Sequence, residues 1–392
     1  MSTSTTHSRI ARLPQSLSPS GIRAFFDVVA TMPDVITLGV GEPDFPTPWH
    51  ICDAVLHSLR RGETSYTSNP GTLELRTEIA RMLARERGVE YDPGSQVLIT
   101  VGVSEGLDLA LRAILDPGDE VIVPEPCFPA YKACVILAGG HPTIVETKAD
   151  HQFRLQVADV RAAITPRTKA IIIGYPNNPT GAVMSREDLL PIAQLAREHD
   201  LIVISDEIYD CLTYEGAHTC FASLPHMADR TILLNGFSKA YAMTGWRVGY
   251  AAGPRDILSA MTKIHSYSIM CAPTLAQAGA LEALRNGRNA RERMIAEYDQ
   301  RRRFVVRRLN DMGLQCFWPR GAFYAFPSIE ATGLSAEDFS RALLQEQKVA
   351  AVPGTAFGQC GEGHVRCTYA NSMENLREAL ARLAAFVEKR AR

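Results

Sequence analysis

Four residue types that suit covalent and acid–base chemistry each follow a short apolar run in this chain: a lysine, a carboxylate, a phenol and an amide. Lys239 sits in "NGFSKAYAMTGWRVGY" (Asn235 to Tyr250), eight residues before Arg247, among apolar and small residues. In a cleft, a lysine loses its proton readily, because desolvation and nearby cations lower its pKa by roughly three to five units, and the neutral amine is a nucleophile. Asp206, in "SDEIYD", follows the run "LIVIS" and precedes Tyr209 by three residues. At the end of a buried strand its carboxylate calls for a cation or a strong donor. "YPNNPTG" (Tyr175 to Gly181) follows "KAIIIG" and forces a tight turn that presents amides, Asn178 among them. "TVGVSEGLDL" reads as a strand end and a helix opening at Ser104, whose N–H groups and hydroxyl suit a phosphate. Its glycine spacing matches neither the P-loop nor the dinucleotide fingerprint. The fork of Arg247 could clamp the same phosphate.

Each of these residues also has a plain structural reading. Asp206 and Ser104 could be helix caps, Lys239 a solvated lysine, Arg247 half of an ion pair, and "YPNNPTG" simply a turn. As a set they match the needs of one cofactor, pyridoxal phosphate. Its aldehyde requires a lysine, its ring nitrogen an acid, its phenolate oxygen hydrogen-bond donors, and its phosphate a helix end with an arginine.

The elements that must position them are legible from about Gln96 onward. "QVLITVG", "DEVIVPEP", "KAIIIGYP", "LIVISDE", "TILLNGF" and "RVGYAAGP" read as strands buried on both faces, alternating with amphipathic stretches such as "SEGLDLALRAIL" and "REDLLPIAQLAREHD". This predicts an α/β layered domain, in which chemistry gathers at strand ends, and Gly102, Phe128, Asn178, Asp206 and Lys239 fall there. Past Pro273, residues 274–313 read as one long helix stopped by Gly313, followed by a smaller mixture of strands and helices.

Composition narrows the partners. With 41 Lys and Arg against 43 Asp and Glu there is no basic field for nucleic acid or an anionic membrane. The sequence also contains no run of about 20 apolar residues, and its start, "MSTSTTHSRIARLPQS", lacks the apolar core of a secretory signal, so neither a membrane span nor a leader is expected. The nine cysteines are scattered and form no C-x-x-C pair, so neither a disulfide frame nor a zinc site is expected, and a cytoplasmic protein with a short mobile N-terminus follows.

From about Ser18 to the C-terminus, and most specifically in "YPNNPTG", "SDEIYD" and "NGFSKAYAMTGWRVGY", the sequence resembles the class I and II aminotransferases of the fold-type I pyridoxal-phosphate enzymes. The resemblance implies a mostly parallel seven-stranded sheet sandwiched by helices, with a smaller α+β domain. Residues 1–46 would join the small domain, 47–285 form the large cofactor domain and 286–392 the small C-terminal domain. It makes Lys239 the Schiff-base lysine and proton shuttle, Asp206 the partner of the ring nitrogen, and Asn178 and Tyr209 ligands of the phenolate oxygen. Val103, Ser104, Ser238 and Arg247 would hold the phosphate, and Phe128 in "PEPCFPAY" would stack on the ring. Tyr66 in "SYTSNPGTLELR" would reach the phosphate of a neighbouring subunit, which implies a homodimer with shared active sites. Arg366 in "GHVRCTYA" would grip the substrate carboxylate beside the backbone of Gly41 in "LGVGEPDF".

The implied reaction is a ping-pong transamination from an L-amino acid to a 2-oxo acid, with 2-oxoglutarate the expected acceptor. One aspartate-specific subgroup of the family uses a lysine at the position filled here by Ser104. The opening "LSPSGIRAFFDVVATMPDVITLGVGEPDF" resembles the broad subgroup of aromatic, kynurenine, alanine and aspartate aminotransferases. Aromatic or large neutral donors are therefore favoured, with aspartate as a further candidate. A β-eliminating C–S lyase on the same fold is the alternative activity. A non-enzymatic regulator is a poorer one, since it would carry a separate DNA-binding module.

Overall fold

The structure, a computed structural model, describes residues 9–17, 32 and 34–390. Most of the stretch that carries the subgroup resemblance, residues 18–31, and the first eight residues of the expected mobile N-terminus lie outside the described residues.

The apolar runs become a seven-stranded sheet. In chain order its members are β2 (Val97–Thr100), β3 (Glu120–Glu125), β4 (His141–Glu146), β5 (Thr168–Gly174), β6 (Ile202–Asp206), β7 (Thr231–Gly236) and β8 (Gly249–Ala252). Their spatial order is β2-β8-β7-β6-β5-β3-β4, with β8 antiparallel to both neighbours and the other pairings parallel. Every residue of β2, β3, β7 and β8 is buried, as expected of strands covered by helices on both faces. The strand β4 is absent from the sequence reading. It lies at the sheet edge, carries Pro142 and buries only Val145, so its segment "HPTIVE" lacks the apolar run that marks a central strand.

Register brings the reactive strand ends together. Gly174 of β5 pairs with Asp206 of β6, and Asp206 with Leu234 of β7. The three parallel strands thus finish side by side, and the loops that follow carry Asn178, Tyr209 and Lys239.

The expected single helix after Pro273 is two, Thr274–Asn286 and Arg288–Asp311, separated at Gly287 (φ −80°, ψ −8°). Glycine is a poor helix residue, and here it lets the two segments serve different cores. The first buries Ala276, Ala280 and Ala283 beside Ile79 and Tyr241. The second buries Tyr298, Val305, Val306 and Leu309 among Phe323, Phe339, Leu380 and Phe386. Gly313 ends it in the left-handed conformation, φ +87°, the C-terminal stop read from the sequence.

A smaller antiparallel sheet joins β11 (Val352–Pro353), β12 (Val365–Thr368) and β9 (Tyr324–Ala325). The early strand β1 (Ile36–Thr37) pairs in parallel with β10 (Val349–Ala350). Leu38 continues that contact: its N–H donates to the Ala350 carbonyl at 2.7 Å, and its carbonyl accepts from the Thr368 N–H at 2.6 Å. The segment 36–42 is thereby strung against the small sheet and led over the ends of β5 to β7.

Candidate active site

A cavity of about 730 Å³ opens where these ends meet. Eleven of the twelve residues to which the family resemblance gives a site role line it. They are Gly41, Val103, Ser104, Phe128, Asn178, Asp206, Tyr209, Ser238, Lys239, Arg247 and Arg366. Tyr66 is 79% exposed and lies apart from this lining.

Lys239 follows β7 and donates from Nζ to the Gly41 carbonyl at 2.6 Å. It also lies within 6 Å of the ring centres of Tyr209 and Phe323, at 5.9 and 5.8 Å. Burial, reinforced by the positive Arg366 and Arg247, brings its pKa down to about 8, against the opposing pull of Glu42 and Asp206. A substantial neutral fraction of the amine therefore exists near neutral pH.

Asp206 is 7% exposed. Burial raises its pKa to about 6, while the Tyr131 hydroxyl and the Ile208 N–H, both hydrogen-bonded to it, hold it down. Tyr131 Oη donates to Oδ2 at 2.8 Å and Ile208 N to Oδ1 at 3.2 Å. The cap reading is set aside, since the chain turns after Asp206 and forms no α-helix before Arg255. Tyr131 reaches Asp206 by passing over Gly174, where a Cβ would lie 2.5 Å from its hydroxyl. Tyr131 was missed in the sequence; its signal was its place three residues after Phe128, whose ring it meets edge-on at 5.9 Å.

The phosphate-type end departs from expectation in detail. The helix starts at Gly102 and runs to Ile114, so Ser104 lies inside its first turn and does not cap it. The end is set by Gly102 at φ +73°. There a Cβ would lie 2.7 Å from the nearest guanidinium nitrogen of Arg247, so a glycine is required both by the turn and by the close approach. Arg247 itself precedes β8 in the left-handed conformation, φ 52°, and donates from Nη1 to the Thr244 carbonyl at 2.9 Å. Its guanidinium and the helix N-terminus thus face one small volume with Ser104 and Ser238, a seat suited to an anion.

The two asparagines of "YPNNPTG" divide their work. Asn177 is buried and holds the turn, its Oδ1 accepting from Thr180 N and Oγ1 at 3.2 and 2.8 Å. Asn178 faces the cavity, where its Oδ1 accepts from Arg366 Nη1 at 2.8 Å.

Arg366, on β12, is 3% exposed. Its Nη2 donates to the Gly39 carbonyl at 2.5 Å, and its guanidinium lies 4.5 and 4.6 Å from the Tyr324 and Phe357 ring centres. Its Nε is buried and has no hydrogen-bond partner among the described residues. A buried donor left unsatisfied in this way is costly without a ligand. Tyr209 Oη and Tyr324 Oη share a hydrogen bond of 2.7 Å, and burial holds the Tyr209 phenol protonated far above its usual range.

The donor set fits pyridoxal phosphate. The cradle made by Gly102 and Arg247 matches the phosphate. Asp206 is a buried carboxylate that no Lys, Arg or His side chain among the described residues approaches within ion-pair distance, which matches a protonated ring nitrogen. A lysine with a depressed pKa stands between them. Attachment of the cofactor's aldehyde to Lys239 would need the neutral amine. The rate at which cofactor-free protein takes up pyridoxal phosphate, followed as growth of its absorption band, is therefore expected to climb about tenfold per pH unit below 8 and to level off above it. A rate still climbing past pH 9.5, as an ordinary lysine would give, contradicts the depressed value.

A buried apolar-walled cleft at the ends of parallel strands, with a low-pKa lysine, a buried aspartate and an arginine-backed helix start, defines a pyridoxal-phosphate enzyme of fold type I. The model of the aminotransferase class I and II family matches residues 33–383, and this chain belongs to that family. It is 53% identical over 375 residues to a putative aminotransferase, YugH, of Bacillus subtilis, covering 96% of this chain and 97% of that one. It is 48% identical to an aspartate aminotransferase of Pyrococcus abyssi, with 94% and 95% covered. The solved aromatic aminotransferase of Pyrococcus horikoshii superposes with a TM-score of 0.90 at 46% identity, covering 93% and 99%. The protein is a pyridoxal-phosphate-dependent aminotransferase, acting on an amino acid and a 2-oxo acid. Among the described residues no helix is long and apolar enough to cross a membrane, no His, Cys, Asp or Glu cluster could hold a metal ion, and the nine cysteines are free.

Proposed function

We propose that this aminotransferase moves the amino group of an aromatic or large neutral L-amino acid to 2-oxoglutarate by a ping-pong route. The observation that carries the donor class is the allocation of charge in the cavity. Among the described residues lining it the Lys and Arg side chains are Lys239, Arg247 and Arg366. Each has a task in the reaction: cofactor attachment, phosphate and α-carboxylate. Ser104 stands where an aspartate-directed relative of one subgroup would place a further cation, and Val40, Leu107, Phe128 and Ile208 add apolar wall.

When bound, the cofactor supplies an electron sink for the charge left as the substrate α-proton departs. Every other part falls to side chains. Arg366, with Nε still unpaired, takes the α-carboxylate beside Gly41. Lys239 would hold the cofactor's aldehyde and would carry the substrate α-proton. Asp206, held by Tyr131, would keep the ring nitrogen protonated, while Asn178 and Tyr209 would bind the phenolate oxygen. Phe128 would stack on the ring, and Val103, Ser104, Ser238 and Arg247 would hold the phosphate.

Trp49, Leu59, Tyr66, Leu73, Tyr267 and Met270 are large apolar or aromatic residues exposed in the single chain. They support a homodimer in which Tyr66 would reach the partner's phosphate seat. The same reading takes the protein as cytoplasmic and divides it at residues 47 and 286 into a large cofactor domain and a small domain completed by the N-terminal segment.

The test is a half-reaction panel. Purified protein carrying cofactor is mixed with single amino acids, the conversion of the cofactor to its amine form is followed by absorbance, and pyruvate release is assayed separately. Aromatic donors are expected to convert at least about tenfold more efficiently than aspartate, about 1.4 kcal/mol of discrimination. Aspartate leading the rank order overturns the donor class, and stoichiometric pyruvate from a β-substituted donor indicates a lyase.

A further inference from the structure

Glu105 and His265 have no part in the reaction as assigned above, yet they form a pair directly behind the phosphate seat, the histidine fully buried and the glutamate partly so. His265 lies on the helix Arg255–Ser268 and is 0% exposed. Its Nδ1 meets Glu105 Oε1 at 2.8 Å, and its Nε2 is buried without a partner among the described residues. The other oxygen of Glu105, Oε2, accepts from the Val101 N–H at 2.5 Å. Val101 is the last residue before the helix, at φ −77° and ψ 68°, and the left-handed Gly102 follows it. Thr100 closes the same turn from the other side, its Oγ1 donating to the Gly102 carbonyl at 2.9 Å.

The turn that aims the N–H groups of Val103 and Ser104 into the cavity is therefore fastened at Val101 by one carboxylate, and that carboxylate is fastened by one buried imidazole. A negative side chain in the first helical turn suits the helix dipole but opposes a phosphate dianion seated at the same end. Its contribution to cofactor binding must come through geometry. We infer that Glu105 and His265 are positioning residues for the phosphate seat, locking the turn 101–104 in the conformation that receives the cofactor's phosphate.

This rests on the reading of that seat given above, and the experiment separates the two. The full chain, stripped of cofactor, is titrated by absorbance with pyridoxal phosphate and with pyridoxal, which lacks the phosphate; the ratio of the two affinities isolates the phosphate's share. Glu105→Ala is expected to lower this ratio by about tenfold or more while pyridoxal affinity stays within about twofold, as loss of a hydrogen bond to a charged group would give. Glu105→Gln, which keeps an acceptor for Val101, is expected to hold the ratio within about threefold of the parent. An unchanged ratio in Glu105→Ala, or an equal fall for both ligands, overturns the inference. If Glu105→Ala does not fold, His265→Leu decides in the same assay: a ratio lowered by about threefold or more supports the pair, and an unchanged one overturns it. A parent ratio near one would overturn the phosphate seat itself.

Discussion

Lys239→Ala is expected to lose the absorption band of the attached cofactor and at least about 10⁴-fold in turnover, the upper range of what a positioned acid–base group contributes. The size follows from two roles on one nitrogen. In the proposed reaction Lys239 would anchor the cofactor through a bond that no other side chain lining the cavity could make, since the remaining cations there among the described residues are arginines. It is also the group placed to carry the α-proton. The substitution should leave the fold in place, because the side chain's direct hydrogen bond is a single one, to the Gly41 carbonyl. Absorbance spectra and single-turnover assays of the purified variant check this. A variant that keeps the band, or turns over within about a hundredfold of the parent, would remove the lysine from its assigned place.

Arg366→Leu is the second large effect, an expected fall of about 10² to 10⁴ in kcat/KM for amino acids. A guanidinium that binds a carboxylate through two charge-assisted hydrogen bonds loses about 3 to 6 kcal/mol when both go. Arg366 gives Nη1 to Asn178 and Nη2 to Gly39. On the proposed assignment the substrate carboxylate would meet an arginine preorganised between two aromatic rings, with Nε unpaired among the described residues. The control is an amine donor without a carboxylate, whose rate should move by no more than about threefold, since it never made the lost bonds. An equal fall for both donors would mean that the substitution disturbs the small sheet around β12, not carboxylate recognition.

Much of this site was legible in the residues because its chemistry is written in short local segments. Lys239, Asp206, Asn178 and Arg247 each follow or precede a strand whose run of apolar and small residues announces burial, and turn residues mark where each strand must end. Local signals failed where two segments had to meet. Ser104 reads as a cap, but the turn is made by Gly102 with Arg247 packed against it, a contact between residues 145 apart in sequence. Tyr131 carries no signal beyond its distance from Phe128, because its hydroxyl becomes important through the register that sets Gly174 beside Asp206. The break at Gly287 was hidden for the same reason. Helical periodicity continues across it, and the interruption is decided by the two different cores that its flanks enter.

The sequence by itself determined the class of chemistry, since an amine, a carboxylate, an amide and an anion seat at strand ends are types and spacings that survive without coordinates. It also determined the layered α/β architecture, because burial on both faces of a strand is written in side-chain type. Tertiary structure alone decided the working state of those groups. The pKa of Lys239 falls to about 8 and that of Asp206 rises to about 6 through burial by elements far away in the chain. The Nε of Arg366 is buried and without a partner among the described residues only once β12, the 36–42 segment and "YPNNPTG" have packed around it. Desolvation is a property of everything that surrounds a group, so no segment of sequence carries it alone.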